Sequence, residues 1–465
     1  MISWPLVLVV VVGAIALAVP PVPTVALVAC AIFALFGPVR TLQSLMVSTL
    51  IVYSNPHIVK HATVDGVLFR VVLIAAVLRV MFSLRASDVR LVWPVWLFAL
   101  TALATSWVSS PVLAISLMKI AEFSFATTAV LIAFNHLKPH ELMRLQSWFL
   151  TVGITVILLS ALTLLKPGFG AGLNGGLQGV LNQPQALGVF IAPFAAWSIA
   201  GVLLMRRRAS WLEIGVALGT VVLILLTRAR TAGFATFFGV AVVTLARTVS
   251  RRAATQATLG RPMIVVTLVG MVLIGVALST GKLTQIATEY AFKGTEKDTH
   301  DIGDAFYESR GGGVQTEWSN FLRQPLIGNG FGVYPDGRFP SGVVMFQGIP
   351  ISAPVEKGFL PTAVLEEDGL LGAILLSLVI VWLGRYAWRN SDLRWRAMFV
   401  ACLGINVGEC VLVSPGGIGM FDWLLVGLAI SSYRATLAPA RVRRVATGSE
   451  PPAQVEPVPF LGTAG

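Results

Sequence analysis

Three polar strings interrupt an otherwise apolar chain, and they hold the side chains equipped for chemistry. The first, Gly179 to Gly188, places Asn182, Gln183 and Gln185 around Pro184. The second, Leu226 to Gly233, carries Arg228 and Arg230. The third is discontinuous: Arg310 ahead of Gly311-Gly312-Gly313, then Glu317 and Trp318, Gln324 to Gly332, Glu356-Lys357, and Glu366-Glu367-Asp368-Gly369. Arginine holds anionic oxygens at a membrane face without a metal, because its guanidinium stays charged and makes bidentate contacts. Arg228, Arg230 and Arg310 are candidates for that task, and Lys357 could either bind phosphate or pair with Glu356. A carboxylate in a partly dry site can act as general base, with Glu356 the first choice and Glu317 the second. Plainer readings stand beside these. Arginines outside the membrane also meet lipid headgroups or cap helix carbonyls, and loop carboxylates are usually just solvated.

The elements that position these residues are membrane helices. Of 465 residues 56% are hydrophobic and only 12% charged, against about a quarter charged in soluble domains. Mean hydropathy is +0.81. This excludes a cytosolic enzyme, a secreted disulfide scaffold and a disordered chain. Apolar segments run roughly 4–19, 22–36, 41–53, 64–83, 91–108, 112–134, 145–165, 185–205, 211–227, 231–247, 263–280, 361–384, 395–413 and 416–433. Several approach the ~20 residues of a membrane span. The expectation is an all-α, polytopic transmembrane helix bundle of about 12–14 spans, since 41–53 is short and Pro20, Pro21 and Pro23 mark a hairpin. The start, Met1-Ile-Ser-Trp, lacks a basic region and a cleavage site, so it reads as a first membrane helix and not a removable signal.

With the N-terminus in the cytoplasm, the inside loops hold fifteen basic residues, from Arg40 to Arg396, and the short outside loops only Lys60, Lys166, Arg228 and Arg230. That asymmetry obeys the positive-inside rule and puts the one long loop, 281–360, outside. The organisation read from sequence is helices over 1–280, an extracytoplasmic loop at 281–360, helices over 361–434, and a disordered cytoplasmic tail at 435–465. The long loop carries nine acids against seven Lys/Arg, so the net charge of +12 is an anchoring signal and no nucleic-acid partner is expected. Within it, Val314, Trp318, Phe321 and Leu322 recur at helical spacing and predict a short amphipathic helix near the membrane face. Gly328-Asn329-Gly330-Phe331-Gly332 only partly echoes a phosphate loop and does not predict a nucleotide site.

Cys30, Cys402 and Cys410 lie in apolar spans without paired spacing and read as core. His57 and His61 have i,i+4 spacing, but no third-ligand pattern accompanies them, so no metal is expected. Charges inside spans, namely Lys119 with Glu122, Asp65 with Arg70, Glu409 and Asp422, point to function or to structural pairing. The acids Glu366, Glu367 and Asp368 have a simpler explanation beside a helix N-terminus.

Taken in order, the three strings resemble the O-antigen ligase and polymerase superfamily, integral-membrane glycosyltransferases that move lipid-linked glycans on the outer face of the bacterial inner membrane. Asn182, Pro184 and Gln185 match its Asn-Pro-Asn-like motif loosely, and Arg230 matches the arginine of its tight outside turn. Arg310, Trp318, Pro325, Gly328 and Gly330 match its Arg…Trp helix followed by Pro-Leu-Leu-Gly-x-Gly. The resemblance spans roughly 179–385 and is carried by the set, each string being weak alone. It implies an inverting, metal-independent glycosyltransferase without a cofactor, located in the bacterial inner membrane with both termini cytoplasmic. Its partners would be membrane lipids, a polyprenyl-diphosphate-linked glycan donor and a glycan or lipid A-core acceptor. The implied binding set is Arg228, Arg230, Arg310, Lys357, Asn182, Gln185 and Trp318, with Glu356 or Glu317 as base. The sequence departs from the family at Glu356-Lys357, where the family has His-Asn, and none of the five histidines fills that place. The alternative from another class is a multi-span transporter, against which stand the absence of an inverted repeat and the long ordered outside loop.

Overall fold

The structure, a computed structural model, describes residues 19–62, 64–165, 170, 175–205, 209–249, 312–337, 345–346, 349–350 and 357–435. The expected span 4–19 apart from its last residue, the span 263–280, most of loop 281–360 (including Arg310 and Glu356) and the tail beyond Ala435 lie outside the described residues. Thirteen α-helices are described. They are α1 (Val22–Ala34), α2 (Pro38–Val52), α3 (Asp65–Met81), α4 (Ala86–Ser109), α5 (Leu113–His136), α6 (Pro139–Leu162), α7 (Pro184–Leu204) and α8 (Trp211–Thr227). The others are α9 (Arg230–Val249), α10 (Gly312–Arg323), α11 (Leu360–Ala387), α12 (Leu393–Ile405) and α13 (Gly419–Ser431). The extended structure described is one short pairing, Met345–Phe346 with Ile349–Pro350.

The starts follow from local chemistry. Proline stands in the first turn of α1, α2, α6, α7 and α11, where its missing N–H costs nothing. Ser210 and Glu213 cap α8 reciprocally. Five helices, α4, α5, α6 with its short 3-10 extension, α7 and α11, are long and apolar enough to cross a membrane. Every residue of α13 is buried, Asp422 included, so this mainly apolar helix lies inside the bundle. Around it α9 packs on α7 and α12, α1 on α2 and α3, and α11 on α4 while carrying α10.

Two elements differ from expectation. The apolar segment 395–413 is helical only to Ile405, because Asn406 turns its side chain onto the chain ahead and accepts the Leu412 N–H at 2.8 Å. α11 is broken at Gly369 (φ 65°, ψ −161°) instead of running straight from 361 to 384.

Helix ends sort into two sets. At one end Asn55 N–H donates to Val180 O, Leu177 N–H to Leu226 O, Leu360 N–H to Asn406 O, and Phe331 N–H to Ser106 Oγ. At the other, Arg434 donates to the carbonyls of Phe134 and Asn135, Asn390 to Ala429 O, and His136 meets Asp88. All described parts of the three polar strings belong to the first set.

Candidate functional site

One half of the site is a backbone zipper. Residues 53–55, just past α2, run beside 179–182: Asn182 N–H donates to Tyr53 O at 2.8 Å and Asn55 Nδ2 to Gly179 O at 2.8 Å. Asn182 thereby sits at the mouth of α7 with its Oδ1 buried and, among the described residues, without a hydrogen-bond partner. Gln185 is half-buried one turn on. The second string packs on the first. A Cβ at Gly188 would lie 2.5 Å from that of Ala229, so only glycine permits this approach. Arg228 closes α8 in the left-handed region (φ 55°), an unfavourable conformation for a side chain with a Cβ. Its guanidinium lies over Gly175, where an added Cβ would sit 3.6 Å away. Arg230 then opens α9. The turn thus holds two arginines with one residue between them, from the end of α8 to the start of α9, the first of them in a conformation that a Cβ disfavours.

The other half is a clasp around broken α11. Breaking a helix orphans N–H groups on one side and carbonyls on the other. Segment 325–330 satisfies both: Leu370 N–H donates to Pro325 O at 2.8 Å, while Asn329 and Gly330 N–H donate to the Glu366 and Glu367 carbonyls at 2.8 Å each. The fit leaves no room, since a Cβ at Gly328 would lie 2.4 Å from Glu367 backbone and one at Gly369 2.4 Å from Leu326 backbone. Phe331 anchors the segment in the bundle, fully buried with its ring edge-to-face against Phe98 and Phe123. Lys119 of α5 lies beneath it, its Nζ 5.7 Å from the Phe331 ring centroid.

Buried charge locks the clasp. Lys357 Nζ is 2.6 Å from Glu366 Oε2 and 3.2 Å from Glu367 Oε1, and Asn320 of α10 donates to Glu366 Oε1 at 2.7 Å. Burial alone would lower the Lys357 pKa, but the carboxylates of Glu367 and Glu366 outweigh it and hold the ammonium charged beyond the ordinary lysine range. Glu317 is buried, accepts the Thr362 hydroxyl, and has its carboxyl raised above the ordinary range by burial, partly offset by Thr362 and Lys357. α10 was expected as an amphipathic helix around Val314, Trp318, Phe321 and Leu322. Phe321 and Glu317 face inward, while Trp318 and Leu322 are exposed, with the Trp318 ring 5.1 Å from that of Phe321. The acids 366–368, expected to rest on a helix dipole, are instead buried in the second turn, around Lys357.

Sequence reasoning missed what joins the halves. Between α12 and α13 the chain from Asn406 to Ile418 is non-helical and mostly buried, with Val407 exposed. Asn406 O accepts the Leu360 N–H beside the clasp, and Gly408 packs so closely on Thr231, one residue after Arg230, that a Cβ would lie 2.0 Å from its hydroxyl. Cys410 is within electrostatic reach of Lys119, Lys357, Glu317 and Glu367. The signal was present in Ser414-Pro415-Gly416-Gly417, a helix-breaking run between two apolar stretches.

The intramembrane pairs also rearrange. Asp65 accepts from Thr24 Oγ1 at 2.8 Å, not from Arg70, and Arg70 instead faces Glu122 across helices at 4.0 Å. His61 lies 3.7 Å from Asp65, and among the described residues no group of three His, Cys, Asp or Glu side chains could hold a metal ion. The arrangement offers a cationic turn, an uncharged amide rim at Asn182 and Gln185, and a charge-locked wall. No protein-family model matches the chain, and no curated protein matches it.

Proposed function

We propose that this chain is an inverting, metal-independent glycosyltransferase of the bacterial inner membrane. It transfers or polymerises an oligosaccharide from a polyprenyl-diphosphate carrier onto a glycan or lipid A-core acceptor on the outer face. The observation that supports this best is the convergence at one end of the bundle of the strained Arg228–Arg230 turn, the Asn182 rim and the Lys357–Glu366–Glu367 clasp. Arg228, Arg230 and Arg310 hold the diphosphate and stabilise the charge it gains on departure. Asn182, Gln185 and exposed Trp318 contact the sugar. Glu356 takes the acceptor's proton, with Glu317 the second carboxylate placed for it. Lys357, already bound to two carboxylates, serves by fixing the wall on which Glu317 is mounted.

The test is purified protein in proteoliposomes with polyprenyl-diphosphate oligosaccharide, following donor loss and product size. Donor consumption that vanishes in Arg230→Ala and Arg310→Ala supports the reading, a product ladder indicating a polymerase and a single addition a ligase. Wild-type protein that consumes none of several donors, or moves one across the bilayer unchanged, would replace it with transport.

A further inference from the structure

Helix α11 changes character at its break. Before Gly369 it carries Glu366, Glu367 and Asp368, whereas residues 370–384 after it hold no charged side chain. At about 1.5 Å per residue the part over 370–387 rises about 27 Å, which matches a hydrocarbon core of about 30 Å. Charged groups are costly inside that core, so the break marks its boundary, with the three acids on one side and the apolar part crossing from the other. The outward face of the crossing part suits lipid. Leu370, Ile374 and Val381 are exposed at helical spacing, and Ser377 in the same stripe donates its hydroxyl back to Ala373 O at 2.7 Å.

The clasp segment lies at this boundary. Leu370 N–H donates to Pro325 O at 2.8 Å and Leu371 N–H to Leu326 O at 3.4 Å, which sets Leu326 beside the first residues of the crossing part. Helix α10, which leads into the segment, presents three arcs. Glu317 and Phe321 face α11, where Glu317 accepts the Thr362 hydroxyl and neighbouring Asn320 donates to Glu366. Thr316, Ser319 and Arg323 form an exposed polar arc. Trp318 and Leu322, four apart, form an exposed apolar arc, and Leu326 follows in the turn beyond. Leu322 and Leu326 are 60% and 62% exposed, a ridge that water disfavours and that joins, through Leu326, the lipid-facing stripe of α11. Trp318 ends the ridge away from Leu370, where an indole can meet acyl chains and a polar ligand alike. We propose that α10 is an in-plane anchor, with Leu322 and Leu326 inserted among the acyl chains of the leaflet at this end, so that the bilayer surface itself holds the clasp in place.

The test uses the full chain in vesicles of phosphatidylethanolamine and phosphatidylglycerol with radiolabelled acyl chains. A photoreactive benzoylphenylalanine replaces Ser319, Leu322 or Leu326, one at a time. Illumination should give lipid adducts from positions 322 and 326 and none above background from 319, on the polar arc. Equal lipid adducts from all three positions would overturn the inference. So would adducts from 322 and 326 to protein, whether this chain or a second copy, or no adduct from either. A second measurement leaves both leucines in place and carries the test should the photoreactive variants not fold. Tryptophan fluorescence of wild type and Trp318→Phe is compared in lipids brominated near the headgroup or at the chain ends. The component lost in Trp318→Phe should be quenched more by the shallow bromines than by the deep ones, and a component that shallow bromines leave unquenched is the contrary result. Neither measurement involves glycan transfer, so the anchor and the transferase reading stand or fall separately.

Discussion

The two ends of the bundle use charge differently, although each holds a buried charged pair, Asp88 with His136 at one and Lys357 with Glu366 at the other. At one end arginines finish helices: Arg434 donates to the last carbonyls of α5, Arg396 to Asn390 O at 2.7 Å, and Arg389 lies over the Tyr386 ring at 4.8 Å. Those contacts satisfy orphan carbonyls and cover aromatic rings. At the other end an ammonium is buried between two carboxylates, a non-glycine residue is held left-handed, a helix is broken, and buried Asn182 Oδ1 has no hydrogen-bond partner among the described residues. Stability alone does not call for that, since a buried ion pair seldom outperforms well-packed apolar residues. The contrast sets an end where arginines finish helices against one where polar strings, a broken helix and a left-handed arginine meet.

The largest effect that would sharpen this contrast comes from Lys357→Ala. It leaves Glu366 and Glu367 facing each other in a buried clasp and should cost about 3–5 kcal/mol, read as a lowered unfolding midpoint in detergent. Restoration by Glu366→Gln with Glu367→Gln is expected, and an unchanged midpoint would show the clasp to be open to water. Gly328→Ala comes next. Its φ of +67° and the Glu367 carbonyl 2.4 Å from a new Cβ should cost about 1–3 kcal/mol from the backbone alone, with release of α10 from α11 detectable by limited proteolysis.

Glu317 gives a smaller, pH-dependent signature. Its folded-state pKa lies above the unfolded value, so ionisation opposes folding: the penalty is absent below the ordinary glutamate range and grows as pH rises through the raised value. Glu317→Gln should flatten that decline just above the ordinary glutamate range, and parallel profiles for the two proteins would contradict the buried setting. Lys357, shifted upward, contributes stability present below the ordinary lysine range and lost only above it, so it adds no slope in that window. The smallest effect belongs to the opposite end. Arg394→Ala, which removes a guanidinium 4.7 Å from the Trp197 ring and paired to Asp392, should cost about 0.5–1 kcal/mol and leave any transfer activity intact.

Much of the fold was legible because hydropathy reports helices directly. The segment 211–227 coincides with α8, and 64–83, 112–134 and 185–205 fall within a few residues of α3, α5 and α7. Where the sequence misled, backbone hydrogen bonding overrode hydropathy: 395–413 stays apolar past Ile405, but Asn406 and Gly408 end the helix there. Of the site, the glycine-rich 328–332 run was visible as a turn but not as a plug, because the role of Phe331 depends on Phe98 and Phe123, distant in sequence. The Lys357 clasp was equally hidden. Pairing with Glu366 and Glu367 spans nine and ten residues across a helix start, and their neighbours looked like an ordinary acidic first turn.

The most direct test of the central claim sets one arginine from each end against the other in the same proteoliposome assay. Polyprenyl-diphosphate oligosaccharide turnover is measured for wild type, Arg230→Ala and Arg389→Ala at equal reconstituted amounts. The account predicts turnover by wild type and Arg389→Ala, and loss by at least about a hundredfold in Arg230→Ala. Equal loss in both variants, or full activity in Arg230→Ala, would contradict it.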